Sequence, residues 1–334
     1  MRNTSLPTIS INMSNAEDSR DNCCPICSGK NSSRQLVHDE RYGYPGSYTL
    51  LHCSACGHRF LQGNFTAENL KDMYSNYYPR ANLGLKSYAA YEKPNKFATW
   101  LNGELYAPFL WATPGSCVLD IGCGFGESLG YLQANGCNAY GVEADENIRR
   151  VAEKFGFKVH VGLFDPTVYE RNFFDYVTLG QVIEHVTDPL QTLRDIATVL
   201  KPSGVTILST PNANGWGARL FGKYWISWHA PYHLNFFTPE SIKKLADLAG
   251  LEVITIKTIT PSVWLHCQWL HLITLPAMGD SSIYWSMKGR WKPWQKLIRF
   301  AFTILHHLKL NHLVTRFFDF VGLGDNRLYF LRKP

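Results

Sequence analysis

Three sets of residues in this chain combine side-chain type and spacing in ways that can do chemistry. The first is the run VLDIGCGFG, from Val118 to Gly126. An apolar stretch ends in Asp120, and Gly122, Cys123, Gly124 and Gly126 lead into a helical pattern. Glycine lets the backbone come close to a ligand and take φ values that other residues avoid. A helix start behind such a loop offers free N–H groups. Glu143 stands 21 residues after Gly122, at the end of the next apolar run, where a carboxylate can accept both hydroxyls of a ribose. The spacing is G-x-G-x-G behind an acid, not the G-x-G-x-x-G of dinucleotide binding.

The second set is Cys24, Cys27, Cys53 and Cys56, two C-x2-C pairs separated by 25 residues. Each pair can chelate one ion from a tight turn, and four thiolates suit tetrahedral Zn2+ with no coordination position left for water. The pattern therefore predicts a structural zinc, with Cys23, His52 and His58 as spare donors outside the ligand set. The remaining cysteines are scattered, and nine in all is an odd count, which fits a reducing compartment better than a disulfide scaffold.

The third set follows two apolar runs. Gln181, Glu184 and His185 come after FDYVTLG, and His229, Tyr232 and His233 lie in WHAPYHLN after VTILSTP. Ligands of parallel sheets bind beyond the carboxyl ends of the strands, and histidine titrates near neutrality, as a general base should. His233 is the first candidate for the base. His185, Tyr232 and Glu184 are the alternatives.

These residues need a frame to hold them. From residue 117 onward short apolar runs alternate with helical stretches of 8–15 residues: CVLDI, NAYGVEA, FKVHVG, FDYVTLG, VTILSTP and LEVITIKTI as strands, with NRLYFLRK last. Helices are expected over 146–155, from Asp188 to a stop at Pro202, and from the Thr238-Pro239-Glu240 start to Gly250. This rhythm predicts an α/β fold, a Rossmann-like, doubly wound and mostly parallel seven-stranded sheet. The expected organisation is a disordered lead-in at 1–22, a zinc ribbon at 23–60 and a Tyr-rich helical connector at 61–113. The nucleotide domain takes 114–260 and 322–334, with a helical insertion at 261–321 between them.

The glycine run resembles motif I of the class I S-adenosylmethionine-dependent methyltransferases. The similarity continues through FFDYVTLGQVIEHVTDPLQTLRDIATVLKPSGVTILSTPN and HLNFFTPESIKKLADLAGLEV to the ending GLGDNRLYFLRKP. It lies with the branch acting on small molecules in bacterial sugar and secondary metabolism. The resemblance implies that S-adenosylmethionine is the cofactor. Asp120 and the loop Gly122, Cys123, Gly124 and Gly126 would approach its methionine part, and Glu143 would hold its ribose, with Ala144 and Gln181 beside them. After the third strand Leu163 and Phe164 stand where an acid often meets adenine. The cysteine module resembles the zinc ribbon fused to some sugar methyltransferases, where it helps cover the substrate. The implied reaction is methyl transfer to a saccharide-type acceptor, a sugar nucleotide or lipid-linked sugar. An RNA methyltransferase and a non-catalytic cofactor-binding scaffold are the competing readings. The text after FDYVTLG is not the N/D-P-P-Y used on exocyclic base nitrogens, which counts against nucleic acid.

The chain has 334 residues, 45% hydrophobic and 18% charged, and a formal net charge of +6. That composition excludes a disordered or fibrous chain. Its basic excess is local: residues 261–334 carry ten Lys+Arg against three Asp+Glu. The insertion also holds five of the ten tryptophans. Aromatic rings beside cations are what an interfacial helix uses on anionic lipid, and the other reading is a lid packed on the sheet. Its histidines, at 266, 271, 306, 307 and 312, are expected at a surface or interface. With no apolar h-region near the start and no run long enough to span a bilayer, the expectation is a cytoplasmic protein with peripheral contact to the inner membrane face.

Overall fold

The computed structural model describes residues 23–63, 65–78 and 88–334. The expected lead-in at 1–22, and part of the connector, lie outside them. The first element is a small antiparallel sheet of β1 (Asn31–Val37), β2 (Tyr48–Cys53) and β3 (Arg59–Gln62). Two short helices follow, α1 (Ala67–Asp72), running into a π turn over Met73–Tyr77, and α2 (Lys96–Asn102), then two 3-10 turns at Glu104–Tyr106 and Pro108–Trp111.

The large sheet begins with β4 (Cys117–Ile121), α3 (Glu127–Ala134), β5 (Asn138–Glu143), α4 (Ile148–Phe155), β6 (Lys158–Val161) and β7 (Phe174–Gly180). It continues with α5 (Pro189–Val199), β8 (Leu200–Pro211), α6 (Trp216–Phe221) and the two-residue β9 (Asn235–Phe236). Then come α7 (Pro239–Leu248), β10 (Glu252–Thr258), α8 (Ser262–Leu272), α9 (Pro293–His307), α10 (Leu310–Phe320) and β11 (Asn326–Arg332). The strand order is β10-β11-β8-β7-β4-β5-β6. The five strands β8-β7-β4-β5-β6 are parallel, and β11 runs antiparallel between β8 and β10. The expected seven-stranded α/β sheet is the one observed. Leu119, Val177, Leu179 and Leu208 are fully buried at its centre, as a strand covered on both faces requires.

The structure corrects two boundaries. Helix α5 ends at Val199, three residues before Pro202, because the residue preceding a proline avoids helical backbone. Residues 200–205 instead form a bulge, with Phe174 opposite Leu200 and Tyr176 opposite Val205. The ribbon, in turn, does not close on itself at residue 60. Its sheet runs β1-β2-β3-β9, so its last strand is borrowed from beyond β8, with Arg59 opposite Phe236 and Phe60 opposite Asn235. The insertion is helical as expected, but His271 and His312 are buried within it rather than on a surface. His271 accepts from the Trp285 indole N–H at 3.1 Å and meets Glu40 at 3.1 Å.

Candidate active site

The carboxyl ends of β4, β5, β7 and β8 converge on one edge of the sheet. A cavity of about 430 Å³ opens there, lined by Asp120, Gly122, Cys123, Gly124, Ser128, Gly180 and Gln181 and walled by Tyr91, Tyr106 and Phe109 from the connector. Gly122 has φ +75°, and a Cβ on it would meet Val182 at 2.5 Å. Gly124 has φ +56°, and a Cβ there would meet nothing within 4 Å. The first glycine is fixed by packing, while the second leaves an open face beside the cavity.

Asp120 is buried, and its carboxylate accepts from Thr178 Oγ1 and Ser128 Oγ, each at 2.5 Å. Burial raises its pKa to about 6 against those two bonds. Glu143 accepts from the Gly124 amide at 3.0 Å and the Asp145 amide at 2.8 Å. Its carboxylate thus lies against the glycine loop, although it does not itself line the cavity. Gln181 takes φ +58° and donates to Ser209 Oγ at 3.1 Å and Asn326 Oδ1 at 3.0 Å. That φ is uncommon outside glycine and aims the chain leaving β7. Leu163 is 82% exposed and Phe164 packs near Tyr169. Neither lines the cavity, because residues 162–165 leave β6 as an open turn. Ala144 is exposed beyond β5.

Three residues past Gln181 a buried cluster begins. Ligand atoms of Glu184, His185 and His233 all lie within 4.8 Å of one another, and the two imidazoles meet edge to face at 4.6 Å. His185 Nδ1 bonds the Tyr232 carbonyl at 2.9 Å and His233 Nδ1 the Ser227 carbonyl at 2.8 Å. A carbonyl only accepts, so each ring carries its proton on Nδ1 and presents an unprotonated Nε2. Glu184 Oε2 accepts from Thr210 Oγ1 at 3.1 Å, and Oε1 has no partner.

Burial sets the protonation of the cluster, and in an order the sequence did not indicate. Desolvation disfavours the charged form of each group. It lowers His185 to about 4 and His233 well below 6.5, and raises Glu184 to about 8. The expectation that these histidines titrate near neutrality is therefore corrected. They are neutral there, and Glu184 holds its proton.

The strap from residue 213 to 238 carries this cluster. Its Leu234 and Asn235 amides donate to the Glu184 carbonyl at 2.8 and 3.0 Å, and the Asn235 side chain donates to the Val186 carbonyl at 2.8 Å. Arg59 of β3 donates to the Ala213 carbonyl at 2.6 Å, and Thr238 Oγ1, which caps α7, donates to the Cys56 carbonyl at 2.9 Å.

That last bond starts in the cysteine cluster. Cys24 and Cys56 sulfurs are 3.7 Å apart and those of Cys27 and Cys53 3.4 Å, with all four inside 4.8 Å. Bonds of about 2.3 Å to a tetrahedral ion space sulfurs by about 3.8 Å, far beyond the roughly 2.05 Å of a disulfide. All four thiols are free. A Cβ on Gly29 would strike Ala55 at 2.7 Å and sit 3.1 Å from the sulfurs of Cys27 and Cys53, so the backbone closes tightly over the group. Of the spare donors, His58 is fully buried, packed near Phe60 and Phe237, not solvated.

Sequence reasoning missed the tyrosines around the strap. Tyr74 meets His185 Nδ1 at 3.1 Å, and Tyr42, Tyr74 and Tyr78 surround Tyr232 at ring separations of 5.4 to 5.6 Å. The connector's Tyr-rich composition was the available signal. A second cavity of about 360 Å³ lies between the ribbon, the strap and the insertion, lined by Arg41, Trp228, His229 and His271 among others. Arg41 sits 4.0 Å over the Trp285 ring and donates to the Ile226 carbonyl. His229, 4.9 Å from His233, links this cavity to the cluster.

Residues 65–256, more than half the chain, match the methyltransferase domain family. A ubiquinone biosynthesis O-methyltransferase of Dinoroseobacter shibae is 32% identical over 155 residues, 43% of this chain and 62% of that protein. One from Aeromonas salmonicida is 29% identical over 152 residues, 42% of this chain and 64% of that protein. The matches thus span less than two thirds of these relatives' length. Among solved structures, an S-adenosylmethionine-dependent methyltransferase from Archaeoglobus fulgidus shares 19% identity over 66% of this chain and 87% of its own, with a TM-score of 0.41.

Proposed function

The chain belongs to the class I S-adenosylmethionine-dependent methyltransferases, and on that premise we propose that it methylates a saccharide-type acceptor, a sugar nucleotide or lipid-linked sugar. The observation that carries the reading is a continuous series of groups. It runs from Glu184, three residues beyond Gln181 of the cofactor cavity, through His185 and His233 to His229 at the second cavity. Aromatic rings and cations line that second cavity, a combination that suits a sugar ring and its phosphates.

In this reading Asp120, the glycine loop and Glu143 hold the cofactor, which when bound supplies an electrophilic methyl on a sulfonium. His233 Nε2 takes the acceptor's proton as its oxygen or carbon attacks. At neutral pH Glu184 keeps its proton and both imidazoles are uncharged, because burial disfavours the charged form of each. Tyr232 and the tyrosines around it keep water from the cluster. The four cysteines hold one structural Zn2+.

The test is to incubate purified protein with labelled S-adenosylmethionine and separate panels of sugar nucleotides, lipid-linked sugars and phenolic quinone precursors. Label on a saccharide is expected. Label on the phenols alone would move the reading to the activity for which the curated relatives are named.

A further inference from the structure

Helices α9 and α10 each bury one face and leave an apolar face open. The inner faces are anchored by packing and hydrogen bonds. Phe302 stacks on Trp269 at 5.4 Å and Gln295 donates to the Ile273 carbonyl at 2.8 Å. On α10, Phe318 stacks on Trp216 at 4.2 Å, Thr315 bonds Ser262 at 2.9 Å, and Arg316 pairs with Asp319 at 2.8 Å.

The opposite faces carry Leu297, Phe300 and Ile304 on α9 and Leu313, Phe317 and Phe320 on α10, at the three- and four-residue steps of a helical stripe. Leu297 is 70% exposed, Phe300 64% and Phe320 89%. Stripes this apolar mark an interaction site. We propose that this pair of faces docks on an anionic lipid bilayer, lying in its surface.

Charge selects that occupant. Between Asp280 and Asp319 the chain carries seven Lys+Arg and no Asp or Glu. Lys296 is exposed on the flank of the α9 stripe and Arg299 is exposed one step further round the helix, where it sits 4.9 Å over Trp291. Apolar side chains bordered by cations and Trp match an acyl boundary beneath anionic headgroups. A second copy of this chain would bring the same cations against each other. Neither helix is long enough to cross: α9 has 15 residues, about 22 Å at 1.5 Å per residue, and no helix among the described residues qualifies as a span.

The experiment is co-sedimentation of the full chain with phosphatidylcholine vesicles, with and without about 30% phosphatidylglycerol. Phe300→Glu/Phe320→Glu and Lys296→Glu/Arg299→Glu serve as variants. All four substituted side chains are exposed, and an unchanged melting temperature confirms folding. The wild type should partition at least about tenfold more onto the anionic vesicles, less so in high salt, and each variant should lose about tenfold or more. Equal binding to both vesicle types, no sedimentation, or variants that bind like the wild type would overturn the proposal. So would a dimer dissociated by Phe300→Glu/Phe320→Glu, which would assign the face to a second copy.

Discussion

At the scale of single residues, burial decides which groups can exchange protons. Glu184 has an ordinary pKa of 4.5 and is raised to about 8 in the folded chain. Between those values the folded state keeps a proton that the unfolded chain has released. Its contribution to stability is therefore lost as pH rises through that window. Glu184→Gln should remove this slope, so that the variant gains on the wild type by about 5 °C in melting temperature between pH 5 and 8. An unchanged difference across the range would mean that Glu184 is ionised in the fold. His233→Ala should leave cofactor affinity intact while turnover falls roughly 10²–10⁴-fold, and its loss should not be mimicked by a raised acceptor KM alone. With both histidines held neutral, turnover should not fall between pH 7.5 and 6.5, above the range in which Asp120 takes up its proton. A fall across that interval would show rings titrating as if exposed. On the proposed role of Glu143 in holding the cofactor ribose, Glu143→Ala should weaken S-adenosylmethionine binding by about 1.5–3 kcal/mol in calorimetry, the scale of charged hydrogen bonds.

At the scale of elements, the strap explains why the ribbon matters to chemistry it does not perform. Strand β9 pairs with β3 just two residues after His233, and the Cys56 carbonyl accepts from the cap of α7. Cys24→Ser or Cys53→Ser should therefore lose about one metal per chain by elemental analysis, and turnover should fall with it while cofactor affinity changes less. Metal content equal to wild type in both variants would remove zinc from the account. Most of the large sheet could be read from the text because its signals are local: apolar runs of five to seven residues, caps such as Thr238 and stops such as Gly250 lie within a few positions of each other. The glycine loop, Asp120 and the cysteine pairs were legible for the same reason. What could not be read was long-range. Nothing near Asn235 announces pairing with Phe60. Nothing around His185 tells that Tyr74 and the Tyr232 carbonyl will close over it. Its pKa follows from that enclosure and not from its neighbours in sequence.

At the scale of the whole molecule, the ribbon, strap and sheet share one hydrogen-bonded frame, from Arg59 on the Ala213 carbonyl to Leu234 on that of Glu184. Stripping the metal with a chelator should accordingly lower the main calorimetric transition rather than create an early one of its own. A separate low-temperature peak would show the ribbon melting alone. The borrowed strand also bears on how the chain is made. About 170 residues separate the end of β3 from β9, and translation at about 5–20 residues per second puts roughly ten to thirty seconds between them. Through that interval a nascent β3 has emerged with one edge unpaired, a template for other chains. The arrival of β9 is what closes that edge within the chain.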